Sequence, residues 1–170
     1  MKLLVELIQN NPALKVLTEG RGKIVTSYLN DEAYLVAGAF WASKQSYVIV
    51  KSNLYEANQF YTTLKTFLQD DCYYYPFDEA MRMEVLAESP EMLAERLNCY
   101  EALRGNQPLV IVTHTNAILR HVPSFEIYEK NRHTLKVGMR IDMHKLQETL
   151  VELGYQYILN VDQPFYFSHR

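Results

Sequence analysis

The sequence predicts an α/β protein in which a parallel sheet layer is followed by a small α+β domain. Up to about residue 122, short apolar runs rich in β-branched residues alternate with helical stretches, as in proteins built from βαβ units. Beyond that point the segments become more polar and carry more aromatic residues. We therefore expect a boundary near Pro123, with an α/β domain at 1–122 and an α+β domain at 123–170.

The first part of the sheet layer is predicted from apolar spacing and from residues that begin or end helices. Leucines and isoleucines recur at helical intervals near the start of the chain, and asparagine, proline and glycine residues follow them. The predicted elements are a helix over 2–10 that Asn11-Pro12 ends, a glycine turn at 20–22, a strand over 23–29, and a helix that Asn30 or Asp31 caps and that continues to about residue 43.

The rest of the sheet layer shows clearer signals. Three apolar runs have the composition of buried parallel strands, and the stretches between them have helix caps and one apolar face. The predicted strands are 47–50, 72–75 and 109–112; the helices are 54–68 after Asn53, with Leu54, Ala57, Phe60, Tyr61 and Leu64 on one face, 90–103 between Ser89 and Gly105, and a short one at 116–120.

The C-terminal part is predicted to be mixed. Residues 126–141 have the alternation of strand-like segments, and Asp142 is placed to cap a helix that ends before Gly154. Residues 155–170 alternate again and carry several aromatic side chains, which predicts a β ribbon. Its edge at the end of the chain would be open, so self-association through it is expected.

Composition and charge exclude several classes of protein. The net charge of −3 gives no broad electrostatic case for nucleic-acid binding. The two cysteines, Cys72 and Cys99, do not form a CxxC pair, so buried inert thiols are expected rather than disulfides or a zinc site. The apolar start of the chain is short and charged, unlike a signal peptide or a membrane span, and a cytoplasmic location is expected.

Motifs that could support catalysis or cofactor binding are weak in this chain. Gly20 and Gly22 precede Lys23, but a Walker A loop needs a serine or threonine after its lysine, and here Ile24 follows. We therefore predict no catalytic, cofactor or metal residues. Structural or solvated roles are expected for the five histidines, for Tyr73-Tyr74-Tyr75, and for the carboxylates Asp78, Glu79 and Glu84.

A set of motifs spread over about residues 25–170 forms one recognisable pattern. They are Tyr75-Pro76, Glu79 and Glu84; Ser89-Pro90-Glu91, Ala94 and Arg96; 110–113 with Leu119 and Pro123; 135–141 with its Val137-Gly138; Leu153-Gly154-Tyr155; and Phe167-Ser168-His169-Arg170. This pattern resembles the N-terminal region of bacterial transcription-repair coupling factors (Mfd), which share their first domains with the excision-repair helicase UvrB.

This resemblance implies a degenerate layer of the RecA or P-loop-NTPase type, followed by a domain that binds UvrA, the damage-recognition ATPase, by mimicking UvrB. The position of the UvrB Walker A loop falls near 27–31, which has neither glycine nor lysine. The fragment is thus expected to be non-catalytic and without cofactor. ATP, Mg²⁺, RNA polymerase and double-stranded DNA would be bound elsewhere in a longer parent, an ATP-dependent DNA translocase.

The resemblance also implies the residues that contact UvrA. The expected contacts are Arg170 and Phe167 of the C-terminal ribbon, with Gln156 and Tyr157. The family often has a basic residue just after Gly-Tyr, where this chain has Gln156. Two alternatives remain for these residues: Phe167 packs into a core, and Arg170 is a frayed terminus. Two alternatives remain for the chain: a fragment of UvrB itself, which the short 76–88 segment disfavours, or a nuclease or NTPase lobe that acts on nucleic acid.

Overall fold

A computed structural model of the protein describes residues 10–20, 22–78 and 89–168. These residues form a three-stranded sheet, a two-stranded ribbon and α-helices. The strands are β1 (Tyr47–Lys51), β2 (Cys72–Tyr75), β3 (Val110–His114), β4 (Gln156–Tyr157) and β5 (Tyr166–Phe167). The helices are α1 (Pro12–Thr18), α2 (Leu29–Ser43), α3 (Leu54–Leu68), α4 (Pro90–Arg104), α5 (Thr115–Ile118), α6 (Phe125–Asn131) and α7 (Met143–Glu152), with a 3₁₀ turn at Gln69–Asp71.

The three-stranded sheet is parallel throughout, which confirms the predicted α/β class. Its strand order is β1-β3-β2, so β3, the last of the three along the chain, lies in the centre of this sheet. Val110 of β3 lies opposite Tyr47 of β1 and opposite Cys72 of β2. Parallel pairing needs a helical crossover between strands, and α3 and α4 supply those connections.

Helices α2 and α3 cover one face of the sheet and form the main core. The predicted apolar face of α3 is confirmed, since Ala57, Phe60 and Leu64 are fully buried there. They pack with Ala33, Val36, Ala37 and Phe40 of α2 and with Val110 and Val112 of β3. Burial of each large side chain contributes about 1.5–3 kcal/mol, so this layer holds most of the apolar stabilisation among the described residues.

Helix α4 packs on β2, and its ends are as predicted. The Ser89 hydroxyl accepts a hydrogen bond from the Met92 N–H, and Gly105 follows the last turn. Within the contact, the Cys99 thiol donates to the Tyr74 carbonyl at 3.1 Å. The buried Arg96 donates through Nη1 to the Pro76 carbonyl at 3.1 Å, so a charged side chain fixes the chain where it leaves β2.

Two predictions for the N-terminal part are wrong, and a third lies outside the described residues. The helix over 2–10 falls mainly in residues 1–9, which the structure does not describe. Asn11-Pro12 begins α1, and the Asn11 side chain accepts from the Ala13 N–H at 2.9 Å. The two wrong predictions concern the next elements. Residues 23–28 form no strand, and α2 begins at Leu29 after Tyr28, so neither Asn30 nor Asp31 caps it.

One prediction for the C-terminal part is also wrong. Residues 126–141 do not form strands. Ser124 accepts from the Ile127 N–H and begins helix α6, and residues 132–142 are irregular. The predicted helix after Asp142 is confirmed as α7, and the predicted ribbon is present as β4 and β5, which pair in parallel.

Helix α6 is attached to α4 by a polar and aromatic cluster. The Arg132 guanidinium donates two hydrogen bonds to the Glu101 carboxylate, at 2.9 and 3.0 Å, and Arg104 donates to the same carboxylate at 2.8 Å. Tyr100 and Tyr128 stack with ring centroids 5.1 Å apart. These arginines lower the pKa of Glu101, Arg132 most strongly. The cluster connects the sheet layer to the elements that follow it.

Candidate partner-docking groove

Helix α7 and the β4–β5 ribbon border an open groove of about 720 Å³. One wall comes from α7 and the other from the two ribbon strands. The lining residues are His144, Gln147, Glu148, Val151, Glu152, Tyr157 and Phe167.

The sequence of α7 explains why one of its faces lines the groove. The Asp142 carboxylate accepts from the N–H groups of His144 and Lys145, at 3.1 and 3.3 Å, and so fixes the start of the helix. From there the lining residues follow at intervals of three and four, which keeps them on one face. Leu146 and Leu150 lie on another face and are partly buried.

The end of α7 fixes where the ribbon begins. Gly154 has a φ of +89°, and its N–H donates to the Val151 carbonyl at 2.9 Å. The Tyr155 N–H donates to the Leu150 carbonyl at 2.9 Å, which turns the chain back along the helix. A residue with a Cβ would be strained at this φ, so the glycine is required by the turn that forms one end of the groove.

The ribbon places two aromatic side chains together. Backbone hydrogen bonds from Gln156 to Phe165 and from Ile158 to Phe167, both 3.0 Å long, set the register. In that register Tyr157 lies opposite Phe167, and their rings meet edge to face with centroids 5.7 Å apart. Such a pair contributes about 0.5–1.5 kcal/mol beyond its burial.

The groove combines an apolar floor with acidic groups along α7. Val151 on the floor is 59% exposed, and Tyr157 on the ribbon wall is 47% exposed, so much of the apolar surface of the groove is open to solvent. Glu148 lies 3.3 Å from Nδ1 of His144, and both side chains are largely exposed. An exposed pair of this kind is worth at most about 1 kcal/mol, so Glu148 remains available to a partner.

The sequence-predicted site residues divide into three groups. Tyr157 and Phe167 lie side by side in the groove. Gln156 is exposed but does not line the groove, because successive strand residues point to opposite faces. Arg170 lies outside the described residues. The α7 wall was not predicted from the sequence. A usable signal was present, because Val151 lies between Glu148 and Glu152 at helical spacing.

Two cysteines and one histidine are buried in the sheet layer, where they support the structure. Burial raises the pKa of the Cys72 and Cys99 thiols to about 12, so both stay protonated near neutral pH. Nε2 of the buried His114 accepts the Phe77 N–H at 3.1 Å, where β3 ends. Within residues 10–20, 22–78 and 89–168, no three His, Cys, Asp or Glu side chains are grouped to hold a metal ion.

Comparison with known proteins identifies the relatives of this chain. No protein-family model matches it. The transcription-repair-coupling factor of Staphylococcus aureus strain RF122 is 26% identical over an alignment of 161 residues that covers 92% of this chain. The factor of Staphylococcus haemolyticus is 24% identical over an alignment of 159 residues that covers 91% of the chain. The chain is similar to transcription-repair coupling factors. This similarity confirms the predicted resemblance to that family.

The chain spans about 14% of the length of these coupling factors. It is therefore similar to one region of these transcription-repair-coupling factors. In the part of the chain that the structure describes, no helix has the length and apolarity needed to cross a membrane.

Proposed function

We propose that this chain is a non-catalytic docking module that binds the excision-repair protein UvrA during transcription-coupled nucleotide excision repair. Its similarity to the coupling factors and the sequence motifs that resemble their N-terminal region support this function. The groove between α7 and the β4–β5 ribbon is the proposed contact surface, together with Arg170 beyond it.

The observation that carries the proposal is the partly exposed aromatic pair in the groove. Tyr157 and Phe167 present two adjacent rings beside an open apolar floor. Aromatic side chains bury a large area at a low cost in conformational entropy, and they are enriched among the residues that dominate binding energy. The other interpretation, in which Phe167 packs into a core, is disfavoured because Phe167 is only partly buried and lines the groove.

The proposal assigns the remaining functions of a coupling factor to other parts of a longer protein. The sheet layer acts as a degenerate domain of the RecA type, and residues 123–170 form the docking domain. ATP, Mg²⁺, RNA polymerase and double-stranded DNA are contacted by the parent outside this region, in the cytoplasm. The absence of glycine and lysine at 27–31 supports a layer that no longer binds nucleotide.

Truncation of the aromatic pair tests the docking function. UvrA from the same organism is immobilised, and binding of the 170-residue chain is measured by biolayer interferometry. Phe167→Ala and Tyr157→Ala should each weaken binding about tenfold to a hundredfold, because loss of a central aromatic contact typically costs ~2 kcal/mol or more. Arg170→Ala should also weaken binding, since a guanidinium offers a planar fork to a carboxylate of the partner.

A matched control separates this effect from a general loss of folding. Tyr28 is 73% exposed and lies before α2, away from the groove. Tyr28→Ala should bind like the unaltered chain, and all variants should keep its circular dichroism spectrum. If the unaltered chain does not bind UvrA, the docking function is wrong; if it binds and the aromatic variants bind equally well, the surface lies elsewhere.

A further inference from the structure

The wall of the groove formed by α7 is acidic. Glu148 and Glu152 are four residues apart on the helix, so their Cβ atoms lie about 6 Å from each other on the same face. Like charges at this spacing destabilise a helix, and a cation placed beside both carboxylates would remove the repulsion. The only basic side chain that lines the groove, among the described residues, is His144.

The apolar floor lies beside this pair of carboxylates. Val151 is on the same helical face, one position before Glu152, and the rings of Tyr157 and Phe167 form the opposite wall. A ligand that fills the groove therefore meets apolar atoms in the centre and negative charge along one side. Electrostatic complementarity of this kind selects the partner and raises the rate of association.

We propose that the groove binds a basic-apolar segment of the partner protein, in which an apolar anchor residue is flanked by arginine or lysine. The anchor lies against Val151, Tyr157 and Phe167, and the cation lies against Glu148 and Glu152. Arginine fits the carboxylates better than lysine because its guanidinium can engage two oxygens at once. This inference rests on the proposed docking function and specifies the chemistry of the segment that is recognised.

Charge complementarity favours this occupant over a second copy of the chain. The walls of the groove have no arginine or lysine among the described residues, so two grooves that face each other would bring four glutamates together. An acidic segment or a nucleic-acid backbone would be repelled by the same carboxylates. A basic-apolar segment can form ion pairs with the α7 wall and apolar contacts with the ribbon wall.

The first test removes the charge and leaves the shape. In Glu148→Gln/Glu152→Gln the side chains keep their volume, and binding to UvrA should weaken about tenfold at low salt, because two charge pairs are lost. Glu56→Gln/Glu126→Gln is the matched control, since it changes the net charge equally at two exposed sites in the first turns of α3 and α6. Raising the salt concentration should weaken the unaltered chain more than the Glu148/Glu152 variant.

The second test does not depend on UvrA. Two synthetic tetrapeptides share a phenylalanine and a leucine and differ only in carrying two arginines or two glutamates. Each is titrated into the ¹⁵N,¹³C-labelled chain, and methyl and aromatic NMR signals are followed. The arginine peptide should shift the Val151 methyl and the Tyr157 and Phe167 ring signals at least fivefold more than the glutamate peptide. Glu148→Gln/Glu152→Gln should abolish that preference.

The two tests separate the failure of this inference from the failure of the proposed function. The inference of a basic-apolar segment is wrong if Glu148→Gln/Glu152→Gln leaves UvrA binding unchanged and both peptides cause equal shifts. The docking function is not contradicted by that result. A clear preference for the arginine peptide without any UvrA binding supports the groove chemistry and rejects UvrA as the partner. Light scattering that shows a dimer broken by Phe167→Ala would assign the groove to a second copy and overturn the inference.

Discussion

Two thiols in the sheet layer illustrate how burial fixes the chemistry of single residues. Cys72 on β2 and Cys99 on α4 are each only 2% exposed, and neither forms a disulfide. The Cys99 thiol also donates to the Tyr74 carbonyl. Burial penalises the thiolate more than the thiol, and this is why the pKa of both groups rises to about 12.

We predict that neither thiol reacts in the folded chain. At pH 8 a group with a pKa of about 12 is a thiolate in only ~1 molecule in 10⁴, and the surrounding side chains exclude the reagent. Titration with Ellman's reagent should show no fast release of chromophore from the native chain and two equivalents per chain in guanidinium chloride. One equivalent released within seconds under native conditions would show that a thiol is accessible.

At the scale of elements, the sequence predicted the sheet layer well from Tyr47 to His114, because the signals there are local and agree with each other. Helix α3 has the Asn53 cap and a continuous buried face, and helix α4 has Ser89 before Pro90 and Gly105 after its last turn. The β-branched runs of β1 and β3 become strands because each finds a parallel partner. The order of these strands was not predictable, since it depends on which helix covers which face.

The wrong predictions have two physical causes. Alternation of apolar residues, as at 135–141, makes a strand only when a neighbouring strand accepts its hydrogen bonds. Within the described residues none does, and Leu135 and Val137 are exposed. Two helix starts were also not predicted. Asn11-Pro12 and Ser124 have the residue types that begin helices, and they begin α1 and α6. In the candidate site, Tyr157 and Phe167 were predicted, but the α7 wall was not.

The segment before α2 leads to a prediction about nucleotide binding. Residues 23–28 form no strand, and the turn into α2 has neither the glycines nor the lysine that hold a triphosphate at the start of a helix. We expect no heat when ATP with Mg²⁺ is titrated into the chain in a calorimeter. A heat that fits a micromolar site would contradict this; Lys23→Ala would then show whether that lysine contacts the phosphates.

At the scale of the whole molecule, burial is distributed very unevenly. The core clusters lie between Leu14 and Val112, on the sheet and on helices α1 to α3. From residue 118 to 168 no residue is fully buried, although this stretch includes α6, α7 and the ribbon. The Glu101 cluster is the polar attachment that connects α6 to the sheet layer. The predicted boundary near Pro123 would therefore separate two units of very different stability, which remains a prediction.

This boundary predicts two levels of amide hydrogen exchange. Exchange from the sheet layer requires opening of a packed core, whereas a two-stranded ribbon and helices without buried residues open locally at little cost. After one minute in D₂O near neutral pH, peptides from 47–112 should retain most of their protons. Peptides from 143–168 should have exchanged nearly all of theirs. Equal protection in both regions would show one cooperative unit and would remove the boundary.

A substitution in the core tests whether hydrogen exchange in the sheet layer and exchange in 143–168 are independent. Leu64 is fully buried in the main cluster, and Leu64→Ala should cost about 2–5 kcal/mol of the free energy of unfolding of the sheet layer. Exchange in 47–112 should then accelerate strongly, while exchange in 143–168 should stay unchanged because its amides already open locally. Addition of a binding partner should have the reverse effect and slow exchange in 143–168 first, since the groove that it fills belongs to that unit.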